Sequence, residues 1–184
     1  MCRGCLWRGD PRRVVIGLPG AFLVGSPALT FCLQAVARTG WSALQLFDEY
    51  HDPSVDATRW VLERANAALA SLGSPDRTIV MAKSLSTRAA GLVAERGYPA
   101  VWLTPLLNDD ESVAGLLRRQ APALLIGGTA DPAWDGELAR TISHDVLELD
   151  GVDHGFGSPG EHPLDTLDNL KRVVETVAAF AAHH

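Results

Sequence analysis

Short apolar runs alternate with amphipathic stretches along almost the whole chain. "RVVIGL" (Arg13 to Leu18) is a β-branched run closed by Pro19-Gly20, the pattern of a strand buried on both faces. Ser26-Pro27 pairs an N-cap residue with proline at the first helical position, and Leu29, Leu33 and Val36 then recur at helical spacing up to Gly40. "WSALQLF" (Trp41 to Phe47) predicts a second strand, and Asp52-Pro53 opens a second helix with Val61, Leu62, Ala65, Leu69 and Leu72 on one face. "TIVMA" (Thr78 to Ala82) is a third strand, with a helix from about Leu85 to near Gly97. "AVWLT" (Ala100 to Thr104), a helix around Glu111 to Arg119, and "ALLIGG" (Ala123 to Gly128) come next. Asp131-Pro132 starts a helix towards Ile142, "DVLEL" (Asp145 to Leu149) is a sixth strand, and a last helix carries Leu167, Leu170, Val174 and Val177.

Strands alternating with helices of this length imply a parallel sheet covered on both faces. The expected architecture is α/β: a doubly wound, mostly parallel six-stranded sheet with helices on both sides. It occupies one domain over the 184 residues, with residues 1–12 loosely ordered. The doubly wound order sets the first strand between the second and third, and ligands bind outside the carboxyl ends of the strands at such a switch point. The loops lining that crevice are Pro19 to Phe22 and Lys83 to Ser86.

Apolar residues make up 47% of the chain and charged residues 21%, the composition of a globular domain with a substantial core. The net charge of -6 argues against nucleic acid or an anionic membrane as partner, since the one basic cluster is Arg8, Arg12 and Arg13. No apolar run is long enough to span a bilayer and no signal-type segment opens the chain, so a cytoplasmic location is expected. Cys2 and Cys5 form a C-x-x-C with no second half of a zinc site, which reads as part of the loose N-terminus; no metal site is expected. Cys32 falls among Leu29, Leu33 and Val36 and belongs to the core. His183 and His184 are set aside from function.

The chemistry concentrates at strand ends. In "TIVMAKSLSTRAA" a strand turns into a helix around Ser84, which is either the cap of that helix or a nucleophile. A serine hydroxyl needs a positioned base, and the base needs a group that holds its tautomer. Asp131 follows the fifth strand and is either a helix cap before Pro132 or such an orienting acid; His154 follows the sixth and is either a loop histidine or the base. Asp109 and Asp110, after the fourth strand, are an alternative acid. His51 and His144 read as solvated.

"LPGA" after the first strand, "AKSLS", "GGTADPAWD" and "DGVDHGF" together resemble the α/β-hydrolase superfamily, in its small dienelactone-hydrolase-like form. The resemblance runs from Val14 to nearly the end and has the order Ser, Asp, His. It implies Ser84 as nucleophile, His154 as general base and Asp131 as orienting carboxylate. It further implies an oxyanion hole from the backbone N–H of Leu85 and of Ala21, with Phe22 in reserve. Ala82 and Ser86 stand where the family has glycines. Phe22, Leu106, Leu107 and Trp134 are the expected substrate contacts, Trp134 being equally a helix-face residue packed on the sheet. Only a short loop follows the fourth strand, so no lid is expected.

The implied function is a serine hydrolase acting on small esters or related acyl compounds, with no cofactor. The alternative is an inactive hydrolase fold used as a binding module, and a flavodoxin-like domain lacks the glycine-rich phosphate loop it would need. Lys83 precedes the serine rather than following it by a helical turn, so it is not the base. Its ammonium is expected in solvent or paired with a carboxylate.

Overall fold

The computed structural model describes residues 4–21, 27–158, 160 and 162–184. Seven strands form one sheet: β1 (Gly4–Trp7), β2 (Asp10–Leu18), β3 (Trp41–Leu46), β4 (Arg77–Lys83), β5 (Ala100–Leu103), β6 (Ala123–Gly128) and β7 (Asp145–Leu149). Their order is β1-β3-β2-β4-β5-β6-β7, parallel throughout except for β1, which runs antiparallel to β3. The described residues therefore hold one strand more than expected. Gly4–Trp7, anticipated as loose, pairs along β3 from Gly4 opposite Leu46 to Trp7 opposite Ala43. Its side chains face solvent on most of the edge, which is why no apolar alternation marks it in the sequence.

Among the described residues six α-helices cover the sheet: α1 (Pro27–Arg38), α2 (Ala57–Ser71), α3 (Ala90–Arg96), α4 (Asp110–Leu117), α5 (Gly136–Ile142) and α6 (Pro163–His183). Alternation along the strands divides the core in two. Val15, Ile79, Met81, Val101, Leu103 and Ile126 pack with α1 and α6, while Val14, Ile16, Val80, Ala82, Trp102 and Leu125 pack with α2 to α5. Each fully buried Leu or Ile contributes about 1.5–3 kcal/mol over its exposed state. The α1 side is tight enough that a side chain on Gly17 of β2 would collide with Leu33.

Several helix starts differ from the sequence reading for one reason: an Asx residue can close a turn as well as cap a helix. Asp52-Pro53 makes a turn, with the Ser54 N–H donating to Asp52 Oδ1 at 2.9 Å, and the cap of α2 is Asp56, which accepts from Arg59 N–H at 2.7 Å. Likewise α5 is capped by Asp135, accepting from Leu138 N–H at 2.9 Å, and not by Asp131. In α6 the buried face is Leu170, Val173 and Val177, and Leu167 is exposed. Ser26 and Cys2 lie outside the described residues. Cys32 is buried in the core as expected, and burial pushes its thiol well above the usual range. Among the described residues no helix is long and apolar enough to cross a membrane.

Candidate active site

β4 ends at Lys83, and the chain turns at once into a 3₁₀ helix, Ser84–Ala89, that runs on into α3. Ser84 holds φ 51°, a left-handed conformation that costs a non-glycine residue about 1–3 kcal/mol. The turn attains it without either family glycine. Ala82 is fully buried opposite Leu18, and Ser86 is 2% exposed with its hydroxyl donating to the Pro19 carbonyl at 2.5 Å. Ser86 thus ties the elbow to the loop after β2. Thr87 Oγ1 donates to the Ser84 carbonyl at 2.6 Å and accepts from Leu106 N–H at 3.2 Å, which anchors the elbow to the segment after β5. Ser86→Ala removes the tie to Pro19 and leaves that buried carbonyl unpaired. A stability loss of about 1–2 kcal/mol is expected, read by denaturant unfolding. kcat should drop with it, because the loop after β2 loses its anchor.

The loops after β6 and β7 supply the rest. Ser84 Oγ lies 2.7 Å from His154 Nε2, and His154 Nδ1 lies 2.7 Å from Asp131 Oδ2. The structure brings these three sequence-predicted residues together. Asp131 Oδ1 accepts from Ala133 N–H at 2.9 Å, so the carboxylate is oriented by backbone as well as by the imidazole. Burial alone would raise its carboxyl. The hydrogen bonds from His154 and Ala133 and the charges of His154 and Lys83 outweigh that, and its pKa is held below the usual carboxylate value. An ionised Asp131 accepts from Nδ1–H, which leaves Nε2 of a neutral imidazole free to accept the Ser84 O–H.

An open cleft of about 370 Å³ lies above Ser84. Gly20, Ala21, Leu85, Leu106 and His154 line it, together with Lys83. Gly20 sits beside the serine: a Cβ there would stand 3.3 Å from Ser84 Cβ. Ala21, whose carbonyl accepts from Tyr50 N–H at 3.2 Å, and Leu85 line the cleft together with Ser84. Phe22 lies outside the described residues.

Two expected substrate contacts are corrected. Leu107 is buried in the core on the α2–α5 side, its N–H bonded to the Ala133 carbonyl at 2.9 Å. Trp134 packs against Gly127, where any Cβ would strike its ring, and its Nε1–H donates to Glu148 at 2.8 Å; it is the sheet-packing residue and not a cleft residue. Asp109, the alternative acid, caps α4 through Ser112 N–H at 3.0 Å and pairs with Arg88 at 2.8 Å. His51 pairs with Glu49 near the surface, and His144 is exposed.

Lys83 is the residue that the sequence reading misplaced. Its side chain is neither in solvent nor against a carboxylate. It is 3% exposed, and Nζ donates to Thr104 Oγ1 and to the His154 carbonyl, each at 2.9 Å. The signal was available in the strand: Lys83 shares the parity of Ile79 and Met81, so it must point into the α1–α6 side. Among the described residues no group of His, Cys, Asp and Glu could hold a metal ion.

No protein-family model matches the sequence, and no curated protein matches it. Solved structures do. Est1E from Butyrivibrio proteoclasticus, with ferulic acid bound, superposes with a TM-score of 0.75 at 12% identity, covering 99% of this chain and 94% of that one. A serine hydrolase without a lid from Xanthomonas campestris gives 0.66 at 13% identity, covering 97% and 89%. A monoacylglycerol lipase from Paleococcus ferrophilus gives 0.66 at 12% identity, covering 96% and 99%. With its antiparallel edge strand, parallel β2–β7 and turn at Ser84, this chain has the α/β-hydrolase fold.

Proposed function

We propose that the protein is a serine hydrolase that cleaves small esters or related acyl compounds through an acyl-enzyme. The observation that carries this reading is the unbroken line from Ser84 Oγ through the His154 imidazole to Asp131, with both links at 2.7 Å. The serine hydrolase without a lid and the monoacylglycerol lipase among the similar structures agree with it.

Ser84 Oγ attacks the substrate carbonyl carbon as His154 Nε2 takes its proton. Asp131 stabilises the resulting imidazolium. The carbonyl oxygen, now an anion, accepts from the N–H groups of Leu85 and Ala21; each such donor is worth about 3 kcal/mol in the transition state. Collapse expels the alcohol, protonated from Nε2. Water, deprotonated by His154, then attacks the acyl carbon and frees Ser84 together with the acid.

Substrate class follows from the shape of the site. The leucines Leu85 and Leu106 give the cleft apolar walls suited to an acyl chain. Only Thr104 to Asp109 separates β5 from α4, which leaves no inserted lid at that position. Short, water-soluble esters are therefore the expected substrates, with no jump in rate when a substrate exceeds its solubility. A fluorophosphonate probe should form one adduct, on Ser84. A folded protein that takes no label would be a binding module instead, although the left-handed backbone at Ser84 speaks against that reading.

A further inference from the structure

The triad accounts for Ser84, His154 and Asp131 but not for a buried lysine that touches one of them. Lys83 extends from the last position of β4 into the α1–α6 half of the core, with Nζ 5.7 Å from the centre of the Phe156 ring. Burying an ammonium is costly, and a methionine would fill the same space without that cost. No carboxylate pairs with Nζ directly among the described residues. What it holds is the carbonyl of His154 itself, across 71 residues of chain, and the hydroxyl of Thr104 at the end of β5.

The loop that carries His154 is otherwise shaped mainly from within. Asp153 Oδ1 accepts from the N–H groups of Gly155 and Gly157 at 2.8 and 2.9 Å, and Phe156 N–H donates to the Asp153 carbonyl at 3.0 Å. Thr104, one of the lysine's two partners, and Phe156, two residues beyond the other, hold left-handed backbone at φ 41° and φ 68°. Before His154, the Val152 carbonyl accepts from Ala130 N–H at 3.0 Å, which links the loop to the Asp131 segment. The Lys83 contact links the same loop to the strand that carries Ser84. Between them these two bonds set the separation of Asp131, His154 and Ser84.

We infer that Lys83 is a positioning residue of the triad, its ammonium holding the His154 carbonyl so that the imidazole stays within reach of both Ser84 and Asp131. The inference rests on the serine-hydrolase reading. It also gives the site a second titration. Burial, only partly offset by the charges of Asp131 and Asp153, brings the lysine down to about 8. The charged groups that face Nζ are those two carboxylates and, when protonated, the His154 imidazole. Above that value the amine keeps N–H donors but loses the charge that strengthens its bonds. It also ceases to balance Asp131, so the oxyanion forms in a site of net negative charge. Both effects slow turnover on the alkaline side.

The test is a pH–rate profile of kcat from about pH 7 to about pH 10, on the wild type and on Lys83→Met, beside fluorophosphonate labelling of each. The wild type is expected to lose activity with an apparent pKa near 8, the value to which burial brings Lys83. In Lys83→Met that alkaline limb is expected to be absent, with kcat lowered about tenfold or more at neutral pH and KM within about twofold. A merely space-filling lysine would leave the profile as it was. A wild type that labels but whose rate stays flat over the range overturns the inference, whether or not the variant folds. So does a variant that keeps wild-type kcat or keeps the alkaline limb. A wild type that neither labels nor turns over esters overturns the hydrolase reading, and this inference with it.

Discussion

Ser84→Ala and His154→Ala are each expected to lower kcat on a short ester such as p-nitrophenyl acetate by about 10⁴-fold or more, and the double variant to fall scarcely further. The reason is that neither residue contributes separately. An alkyl hydroxyl is a weak nucleophile unless its proton has somewhere to go, and the acceptor is Nε2 at 2.7 Å. With either partner gone, only the cleft and the backbone donors of Leu85 and Ala21 remain, and they act alike in the single and double variants. Asp131→Asn is a sharper probe. An amide NH₂ beside Nδ1 favours the tautomer with hydrogen on Nε2, which cannot accept from Ser84, so a loss of about 10³- to 10⁴-fold is expected with the fold intact. Turnover near the wild-type rate in His154→Ala would remove the triad from the mechanism.

Asp131 also couples the site to stability. Its carboxyl is held below the ordinary value of 3.8, so its contribution is fully present above that pH and disappears as pH falls through the lower, folded-state value. Acid unfolding of Asp131→Asn should therefore lose a component that the wild type shows only in strong acid.

Much of this was legible in the sequence because the alternation of apolar runs with helical stripes leaves few arrangements of a parallel sheet. β6 and β7 match their apolar runs residue for residue, and the positions of Ser84, Asp131 and His154 follow from being just beyond strand ends. Where the reading failed, the deciding interaction was long-range. Gly4–Trp7 becomes a strand because β3 offers an unpaired edge, which nothing within those residues announces. Trp134 and Leu107 stand at loop positions that suggest substrate contact, yet the bare backbone of Gly127 draws the first onto the sheet and the Ala133 carbonyl fixes the second inward. Lys83, beside Ser84, reads as a surface charge until the parity of its strand is followed one residue further.

Gly128→Ala is expected to destabilise the fold by about 2–4 kcal/mol, lowering Tm by roughly 10 °C, and to reduce kcat by about tenfold or more even where the protein remains folded. Gly128 closes β6, and the chain leaving β7 doubles back directly over it. An added Cβ would press into the Val152 carbonyl oxygen and stand 2.7 Å from its carbonyl carbon. Neither neighbour can turn aside as a side chain would. The Leu149 carbonyl is held by Thr129 N–H and the Val152 carbonyl by Ala130 N–H, each at 3.0 Å, so the methyl can be admitted only by pushing the two loops apart. One of those loops carries Asp131, whose own N–H donates to the Gly128 carbonyl at 3.0 Å, and the other carries His154. Any separation lengthens the 2.7 Å bond between them. Gly73→Ala is the control. Its φ of 71° makes alanine strained, by about 1 kcal/mol, but a Cβ there meets nothing within 4 Å, and it lies at the far end of α2 from the cleft. Thermal unfolding and kcat measured on both variants separate the two effects: Gly73→Ala should lose a little stability at unchanged kcat, Gly128→Ala both. Wild-type kcat in a Gly128→Ala protein would mean that the loops can part without disturbing the Asp131–His154 bond.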